Sequence, residues 1–555
     1  MHKFGLLIIL LFWLFSGGRA QTVYIPAGHQ VYGFLERMET RGLLTHVLNG
    51  TRPMTRLDIA GYLKILDGKR KELSRLETRQ LDDFISKFRE ELPGLYKDRY
   101  ERIRTLTGHK WIDPWLPDVI YQNGRDTYAF DRPEISVRFN PVVRRSALFA
   151  DADTLDSREK VYENGNGVMM WGTLGDHLGF YTHVQDTKEW GTRDYPGEIS
   201  VTRPGLGFVL GGGDHLYHDE TRAYLVYNHA FLTLQYGKDK NQWGPGYRGQ
   251  LMLSDAATSY DQFKLQVALY NFKYTGLVAV LKHYDVDYFY GNHQQKYMAA
   301  HRFEFAPLRW INLGMQESVI YAGRGFEPDY FNPVMFFRSA EHYLGDRDNA
   351  AMGVDMELYP VNRVKIYGEL FVDDISTGKI GSSFYGNKYA WLAGLYHTNP
   401  LGLRDSEFRL EYTFIRPFTY THKYDITAYR HFITGMGHPL GPNADEWFAE
   451  LTWRPVYRGE LALFVLQQRH GANSDSLNAG GSIFTPHDPG SSETALFLGG
   501  VREKTRQVGL RFRYELLHEL YLSFQYTYGH STFDRVTGGD WPGDRSEFRF
   551  ALDLY

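Results

Sequence analysis

The residues best suited to chemistry lie in one glycine-rich stretch, KDKNQWGPGYRGQLMLSDA, which covers residues 238–256. Its two aromatic side chains offer flat faces that can stack on sugar rings, and its three cations can meet carboxylates. Pro245 between two glycines fixes a tight turn. The candidate polysaccharide-binding residues are Lys238, Lys240, Trp243, Tyr247 and Arg248. The alternative is that this loop folds into the protein body, with Trp243 as a buried plug residue.

A second ornate segment, YAGRGFEPDYFNPVMFF, covers residues 321–337. Arg324, Tyr330 and Asn332 are its candidate polysaccharide-binding residues, because they again combine a cation, an aromatic ring and an amide. The same two interpretations apply: contact with sugar, or folding against the body of the protein. Ordered loops of this size usually have one such role.

Strands must position both segments, because apolar and polar residues alternate from about residue 130 onward. In YLSFQYTYG, residues 521–529, every second residue from Leu522 to Tyr528 is apolar or aromatic, as on a strand with one polar face. The predicted strands are residues 135–139, 142–150, 177–184, 222–228, 231–237, 264–271, 275–284, 301–307, 311–319, 352–360, 364–373, 389–397, 408–415, 447–455, 461–469, 506–515, 521–529 and 547–555. This pattern predicts an all-β transmembrane barrel of about 18 antiparallel strands.

The first 20 residues read as a signal peptide. The run FGLLIILLFWLF, residues 4–15, is apolar, and Gly18 and Ala20 supply the small residues that signal peptidases recognise. This run is shorter than the about 20 residues that a membrane-spanning helix needs. We expect an exported chain that starts near Gln21. It contains no cysteine, so it has neither disulfides nor a lipid-modified cysteine.

A helical period precedes the strands, between about residues 25 and 110. HQVYGFLERMETRGLL carries apolar residues at helical spacing and a closing Gly42. Thr55 and Ser74 each begin a capping pattern, and the second predicted helix ends at Gly68. The third is expected to run until Pro93 ends it. We predict a small helical domain within residues 21–125, followed by a barrel over residues 126–555.

Composition excludes several functional classes. A net charge of −4 argues against a nucleic-acid partner. The chain has no Gly-x-Ser-x-Gly elbow and no His-Glu-x-x-His motif, so we predict that it is not an enzyme and has no cofactor and no metal site. An exported chain that is rich in tyrosine and glycine, with 40 Tyr and 56 Gly, fits the outer membrane of a bacterium.

Three segments resemble the capsule assembly protein Wzi family. YGKDKNQWGPGYRGQLMLSDAATSYDQFKL resembles its Trp-Gly-Pro-Gly…Leu-x-Leu-Ser segment. YAGRGFEPDYFNPVMFF resembles its Gly-Arg-Gly…Asn-Pro segment, and YIPAGHQVYGFLERMETRGLL its leading Pro-Ala-Gly stretch. The resemblance implies an outer-membrane barrel with a periplasmic helical bundle. It also implies a non-catalytic role in assembling or attaching capsular polysaccharide or exopolysaccharide at the cell surface.

Two other functions stay open at this point. Polar inward positions such as Glu369 and Arg511 are also what a porin-like solute channel would show. TRLDIAGYL resembles the helix start of a surface-layer-homology repeat. That resemblance makes Arg56 a candidate for contact with the cell wall and adds peptidoglycan to the outer-membrane lipids and polysaccharide as expected partners. The alternative for Arg56 is a solvated residue next to the helix cap Thr55.

Overall fold

A closed antiparallel barrel of 18 long strands dominates the computed structural model, which describes residues 23–99, 125–152, 158–193, 195, 200–201, 203–283, 295–533 and 543–555. The predicted signal peptide lies outside the described residues. The strands are β1 Ile135–Ala152, β2 Glu159–Leu174, β3 Leu178–Gly191, β4 His215–His229, β5 Leu232–Asp239, β6 Tyr260–Leu269, β7 Phe272–Leu281, β8 Lys296–Leu308, β9 Ile311–Ala322, β10 Asn349–Val361, β11 Val364–Asp374, β12 Lys388–Thr398, β13 Ser406–Ile415, β14 Ala444–Val456, β15 Gly459–Ala472, β16 Val501–Leu517, β17 Leu520–Phe533 and β18 Gly543–Leu554. Each strand pairs with the next, and β18 pairs with β1, so the barrel has no open edge.

The two faces of the wall differ in polarity, as the alternation predicts. On β10, Val354 and Met356 are exposed on the outside, whereas Asp355 and Glu357 are buried in the lumen. Exposed outward residues of the wall include Tyr236, Phe305, Leu313, Met315, Ile366, Leu370, Trp391, Trp447, Leu451, Trp453, Leu463, Val465, Val508, Leu510, Phe548 and Phe550. An apolar, aromatic-rich outer face around a polar interior is typical of a barrel that crosses a membrane.

The two ends of the barrel also differ. At one end, called the turn end, connections are as short as residues 230–231 and 270–271. At the other, called the loop end, they are as long as residues 416–443 and 473–500. In outer-membrane barrels short turns face the periplasm and longer loops face outward, so the loop end marks the cell surface.

Among the described residues, four helices precede the barrel, and a fifth lies in a loop: α1 Gln30–Thr40, α2 Arg56–Gly68, α3 Arg75–Lys87, α4 Pro93–Arg99 and α5 Phe337–Tyr343. Two predicted N-terminal caps are present, since Thr55 accepts from the Asp58 amide at 3.1 Å and Ser74 forms a capping box with Glu77. No helix in the described part of the chain is long and apolar enough to span a membrane.

The predicted end of α3 was wrong. The helix ends at Lys87 rather than just before Pro93, and Pro93 instead begins α4. Proline suits the first turn of a helix, because its missing N–H would have no partner there and its φ is already helical. Pro93 was therefore predicted to end a helix but begins one.

Helices α1 and α3 pack against turns at the turn end. The Arg363 amide donates to the Thr40 carbonyl at 2.6 Å. Ser74 donates to Asp405 at 3.0 Å, and Gln80 donates to the Tyr457 carbonyl at 3.2 Å. The helical domain therefore covers the turn end of the lumen.

Short elements complete the fold. Paired segments are Tyr24–Ile25 with Met54–Thr55, Thr51–Arg52 with Gln242–Trp243, Tyr128–Arg132 with β1, Ser200–Val201 with Val209–Gly211, and Arg430–His431 with Thr434–Gly435. Single helical turns lie at Arg70–Glu72, Pro328–Phe331, Thr377–Lys379, Pro400–Gly402 and Asp425–Thr427. The Gln242–Trp243 pairing joins a loop to the N-terminal segment.

The outward face of β15 provides a test of membrane insertion. Val465 lies near the middle of that strand and is exposed. We predict that Val465→Arg lowers the free energy of unfolding in lipid vesicles by about 2–4 kcal/mol, because it places a charge in the hydrocarbon region. Leu401→Arg, in a turn-end connection, is the matched control and should change it little. Equal effects of the two substitutions in urea titrations would contradict a lipid-facing position for Val465.

Candidate functional site

Residues 240–259 connect β5 to β6 and fold into the lumen; they are called the plug loop below. Gln242–Trp243 pair with Thr51–Arg52, and the Gly244 amide donates to the Gly50 carbonyl at 2.8 Å. The tryptophan of this pair is 0% exposed. The plug loop and the N-terminal segment therefore meet inside the barrel.

Glu369 on β11 holds the plug loop through the loop's own backbone. Its carboxylate accepts hydrogen bonds from the amides of Gly246 and Leu251, both at 2.8 Å. Gly244 has φ +125°, and a Cβ atom there would collide with the same carboxylate. The glycines of the Trp-Gly-Pro-Gly sequence thus permit both the tight turn and the close approach of the Glu369 carboxyl group.

Glu411 on β13 holds the tip of the loop in the same manner. It accepts from the amides of Tyr247 at 2.7 Å and Arg248 at 2.9 Å, and from the Tyr367 hydroxyl at 2.8 Å. The Tyr247 hydroxyl donates to Glu450 at 2.7 Å. Hydrogen bonds to a carboxylate are about twice as strong as neutral ones, so these contacts fix the tip.

The predicted side chains of this segment do not form one site. Trp243 is buried, and Arg248 lies in the lumen with its Nε 3.1 Å from Glu446. Lys240 borders a luminal cavity. Lys238 lies on the outward face of β5, opposite Asp261 of β6. In this conformation the loop's aromatic and cationic groups contact mainly the protein itself.

The second predicted segment lies outside the barrel. Residues 323–348, called the outer flap below, connect β9 to β10 and fold over the outer wall. Arg324 donates to Asp348 at 2.9 Å, and the Tyr330 hydroxyl donates to the same carboxylate at 2.7 Å. Asn332 is exposed on the flap. The structure therefore separates these residues from the plug loop by the wall itself.

Arg56 lies at the first position of α2 and is buried. Its Nη2 is 2.9 Å from Glu91 and 2.8 Å from the Lys87 carbonyl. Its guanidinium also stacks on Phe88 at 4.7 Å and on Trp171 of β2 at 4.4 Å. Wall contact by this residue stays a prediction, and it would require these internal contacts to open.

Cavities of about 590 and 260 Å³ lie beside the plug loop. The larger is bordered by Trp171, Tyr181 and His183, and the smaller by Tyr247 and Glu450. Residues 27–30 border both cavities. This part of the N-terminal segment therefore divides the free space of the lumen.

Ion pairs tie the helical domain to the barrel. Glu36 of α1 lies 2.9 Å from Arg409 of β13 and 2.5 Å from Lys365 of β11. Burial alone would raise the pKa of Glu36, but these two cations outweigh it and hold the pKa well below its ordinary value. Lys87 of α3 lies 2.8 Å from Glu515 of β16. Buried charges of the two parts thus neutralise each other.

The same region contains a cluster with metal-ligating side chains. Glu515, His518 and Glu519 place ligand atoms within 4.8 Å of one another. The Lys87 ammonium lies 2.8 Å from Glu515 and 3.3 Å from Glu519. A cation of the protein's own therefore already contacts both carboxylates.

An aromatic patch at the loop end was not foreseen from the sequence. Tyr385 and His487 stack with ring centroids 3.5 Å apart and an interplanar angle of 8°. The Lys379 ammonium lies 3.7 Å from the ring centre of Phe384 and 2.8 Å from Glu493. These five residues are called the aromatic patch below. They come from two loops about 100 residues apart in the sequence, so no local motif could reveal them.

The comparisons with known proteins agree with this architecture. The family model described as "Capsule assembly protein Wzi" matches residues 158–541, more than half of the chain. The chain belongs to the Wzi capsule assembly family. The solved structure of Wzi from Escherichia coli is 15% identical, with a TM-score of 0.57 and coverage of 96% of this chain and 99% of that chain. That relative is described as an outer-membrane, carbohydrate-binding β-barrel involved in group 1 capsule assembly.

Other solved barrels are more distant from this Wzi-family chain. OprD from Pseudomonas aeruginosa is 9% identical, with a TM-score of 0.41 and coverage of 75% of this chain and 92% of that chain. OccAB1 from Acinetobacter baumannii is 8% identical, with a TM-score of 0.43 and coverage of 75% and 96%. No curated protein sequence matches significantly. Family membership and the closed barrel make this an outer-membrane protein.

Because the plug loop lies inside the lumen of this Wzi-family barrel, we predict that the barrel has low conductance. We expect Glu411→Ala to raise the frequency of open events in planar bilayers at least several-fold, because two amides and one hydroxyl lose a buried acceptor, at about 1–3 kcal/mol each. Glu547→Ala is the matched control, since Glu547 points into the lumen but pairs with Arg545 at 3.3 Å. Steady large currents through the unmodified protein would show that the loop does not close the lumen.

Glu36→Gln tests the docking of the helical domain. Removing one charge of a buried ion pair should weaken docking by about 3–5 kcal/mol and speed proteolysis of α1 to α3. Because the pKa of Glu36 is depressed, its contribution is present above the ordinary value of 4.5 and is lost as the pH falls further. Glu72→Gln, at an exposed position, is the control. Equal protection of both variants at pH 7 would rule out a stabilising role for the Glu36 pairs.

Proposed function

We propose that this barrel holds an acidic capsular polysaccharide or exopolysaccharide at the cell surface, without catalysis and without a cofactor. The observation that carries the proposal is the plug loop inside the lumen, where Glu369 and Glu411 each bind two of its backbone amides. With the plug loop in the lumen, the surface available to a polymer is the loop end, which faces the outside of the cell. The relative from Escherichia coli is described as binding carbohydrate, which supports the same ligand class here.

The aromatic patch offers the chemistry for that contact. Flat rings at Phe384, Tyr385 and His487 suit the faces of sugar rings, and Lys379 supplies a cation for a carboxylate. Lys379 keeps an exposed side chain, as does its partner Glu493. A polymer lying across the loop end can therefore reach these groups without entering the barrel.

The residues predicted from sequence enter the proposal in two groups. Lys238, Arg324 and Asn332 lie at or outside the wall and remain proposed polysaccharide contacts. For Lys240, Trp243, Tyr247, Arg248 and Tyr330, sugar contact stays a proposal that requires movement of the plug loop or the flap. We also propose the domain limits as residues 1–20 for the signal peptide, 21–125 for the periplasmic helical domain and 126–555 for the barrel.

Porin-like conduction is the second candidate, favoured by the luminal cavity of about 590 Å³. Tethering to peptidoglycan through Arg56 is the third. Contact of the outer wall with membrane lipids is part of all three proposals. Conductance of the unmodified barrel separates the first candidate from the second, and binding of the purified protein to peptidoglycan separates it from the third.

The decisive experiment measures the polysaccharide that cells retain. In a strain that lacks the gene and carries a plasmid copy, we expect Tyr385→Ala with His487→Ala to reduce cell-bound polysaccharide to less than half and to raise the released fraction correspondingly. The reason is that both stacked rings of the aromatic patch are lost. Colorimetric assay of polysaccharide in washed cells and in the supernatant gives both quantities.

Tyr270→Ala is the matched control, because Tyr270 is fully exposed in a connection at the turn end. It removes the same ring from the opposite end of the barrel and should leave the cell-bound amount unchanged. Wild-type retention by cells that lack the protein altogether would reject the proposed function. Retention by the double variant alone would reject only the assignment to the aromatic patch.

A further inference from the structure

The outer wall of β8 and β9 changes character along its length. Near the turn end, the outward residues Phe305 and Met315 are exposed, as lipid-facing residues should be. Closer to the loop end, the outward pair His301 and Glu317 are each only 4% exposed. They are cross-strand neighbours, and His301 Nε2 lies 3.0 Å from a Glu317 carboxylate oxygen. A polar pair thus lies on the membrane side of the barrel, covered by something other than lipid.

The cover is the outer flap. The Phe337 ring at the start of α5 stacks on His301 with centroids 4.3 Å apart, and the Phe337 amide donates to Glu317 at 3.0 Å. Tyr321 on the same outward face packs against Tyr330 of the flap at 5.3 Å. Polar groups exposed to hydrocarbon cost several kcal/mol each. The flap supplies the ring and the hydrogen-bond donor that lipid cannot.

The depth of this contact follows from strand geometry. His301 lies five residues from Lys296, where β8 begins at the loop end. At about 3.3 Å per residue and a tilt of about 40°, this corresponds to roughly 13 Å of height below the loop end. The apolar band of an outer-membrane barrel is about 25 Å tall. The inner face of α5 therefore lies near the middle of a band of that height measured from the loop end.

The flap has a defined shape. Asp348 accepts hydrogen bonds from Arg324 at 2.9 Å and from Tyr330 at 2.7 Å, which joins the two ends of the flap. Lys423, from the loop between β13 and β14, donates to the Asp346 carbonyl at 2.9 Å. These bonds hold the flap against the wall.

The outer side of the flap exposes large apolar side chains beside the polar residues Asp329, Asn332, His342, Asp346 and Arg347. Val334 is 83% exposed and Tyr343 is 89% exposed. The other exposed apolar residues of the flap are Phe326, Phe331 and Phe336. Phe331 packs against Phe263 of β6 at 5.9 Å, which makes this face continuous with the apolar wall. A patch of this kind on a folded protein indicates a contact surface.

We propose that the outer flap lies in the outer leaflet of the membrane, with its apolar face among lipid acyl chains, and that it shields the His301–Glu317 pair from lipid. Continuity with the lipid-facing wall and the depth of the Phe337 contact select lipid as the occupant. A cavity of about 190 Å³ between α5 and the wall is bordered by Met352, Val372 and Ile375, and by the charged residues Glu317, Arg338, Asp373 and Asp374.

The natural absence of cysteine allows a direct test. Single variants Val334→Cys and Tyr343→Cys are labelled with a fluorophore, and the protein is placed in phosphatidylcholine vesicles that carry doxyl groups on their acyl chains. We expect doxyl lipid to quench both labels at least twofold more than a label at Tyr270→Cys in the turn-end connection. Quenching should approach that of a label at Tyr236→Cys on the outward face of β5. Iodide in the aqueous phase should quench in the reverse order.

Two outcomes would overturn the proposal. Labels at Val334 and Tyr343 that iodide quenches as strongly as Tyr270 would place the flap in water and overturn the proposal. Labels that neither agent reaches would mean that protein covers the patch, and this too would overturn it in favour of a protein partner. All four positions are exposed, so labelling itself should leave the fold intact.

Discussion

Pairing of buried charge is the constraint on which the architecture depends. Strand alternation places many carboxylates and cations inside a closed barrel, and an unpaired charge there is strongly unfavourable. Three kinds of contact pair the buried charges of the lumen. Arg248 of the plug loop meets Glu446 on β14, Glu36 of the helical domain meets Arg409, and Arg302 on β8 meets Asp355 on β10. The barrel, the plug loop and the helical domain therefore stabilise one another.

The strand pattern could be predicted from sequence because alternation is a direct consequence of a wall with two unlike faces. The count of 18 was right, but two errors compensated. Residues 135–139 and 142–150 form one strand, β1, since the backbone continues through Pro141. Strand β2 was missed, because its glycines break the alternation. A Cβ atom at Gly172 would collide with the Ser136 carbonyl. Close packing of β1 and β2 therefore requires glycine at this position, and glycine interrupts the alternation of apolar and polar residues.

The site was much harder to predict, for a physical reason. Alternation tells which side of the wall a strand residue faces, but a long loop can fold to either side. The plug loop and the outer flap both contain glycine, proline, aromatic and cationic residues, yet one enters the lumen and the other covers the outer wall. The side to which each loop folds depends on the groups that it contacts there. The plug loop binds carboxylates such as Glu411 inside the barrel, and the outer flap binds the His301–Glu317 pair outside it. Glu411 is far from the plug loop in the sequence, and Glu317, although close to the start of the flap, carries no local signal of the contact.

A closed barrel can hold a polymer without a deep pocket. The aromatic patch is shallow, so a single sugar unit would gain little from it, because association itself costs several kcal/mol. A polysaccharide, however, repeats its unit many times, and a cell surface carries many barrels. Linked contacts of this kind exceed each single affinity by about 10²–10⁴-fold. Retention at the surface then depends on rigid presentation of the loops, and the plug loop, the helical domain and the outer flap each add rigidity to the barrel that carries them.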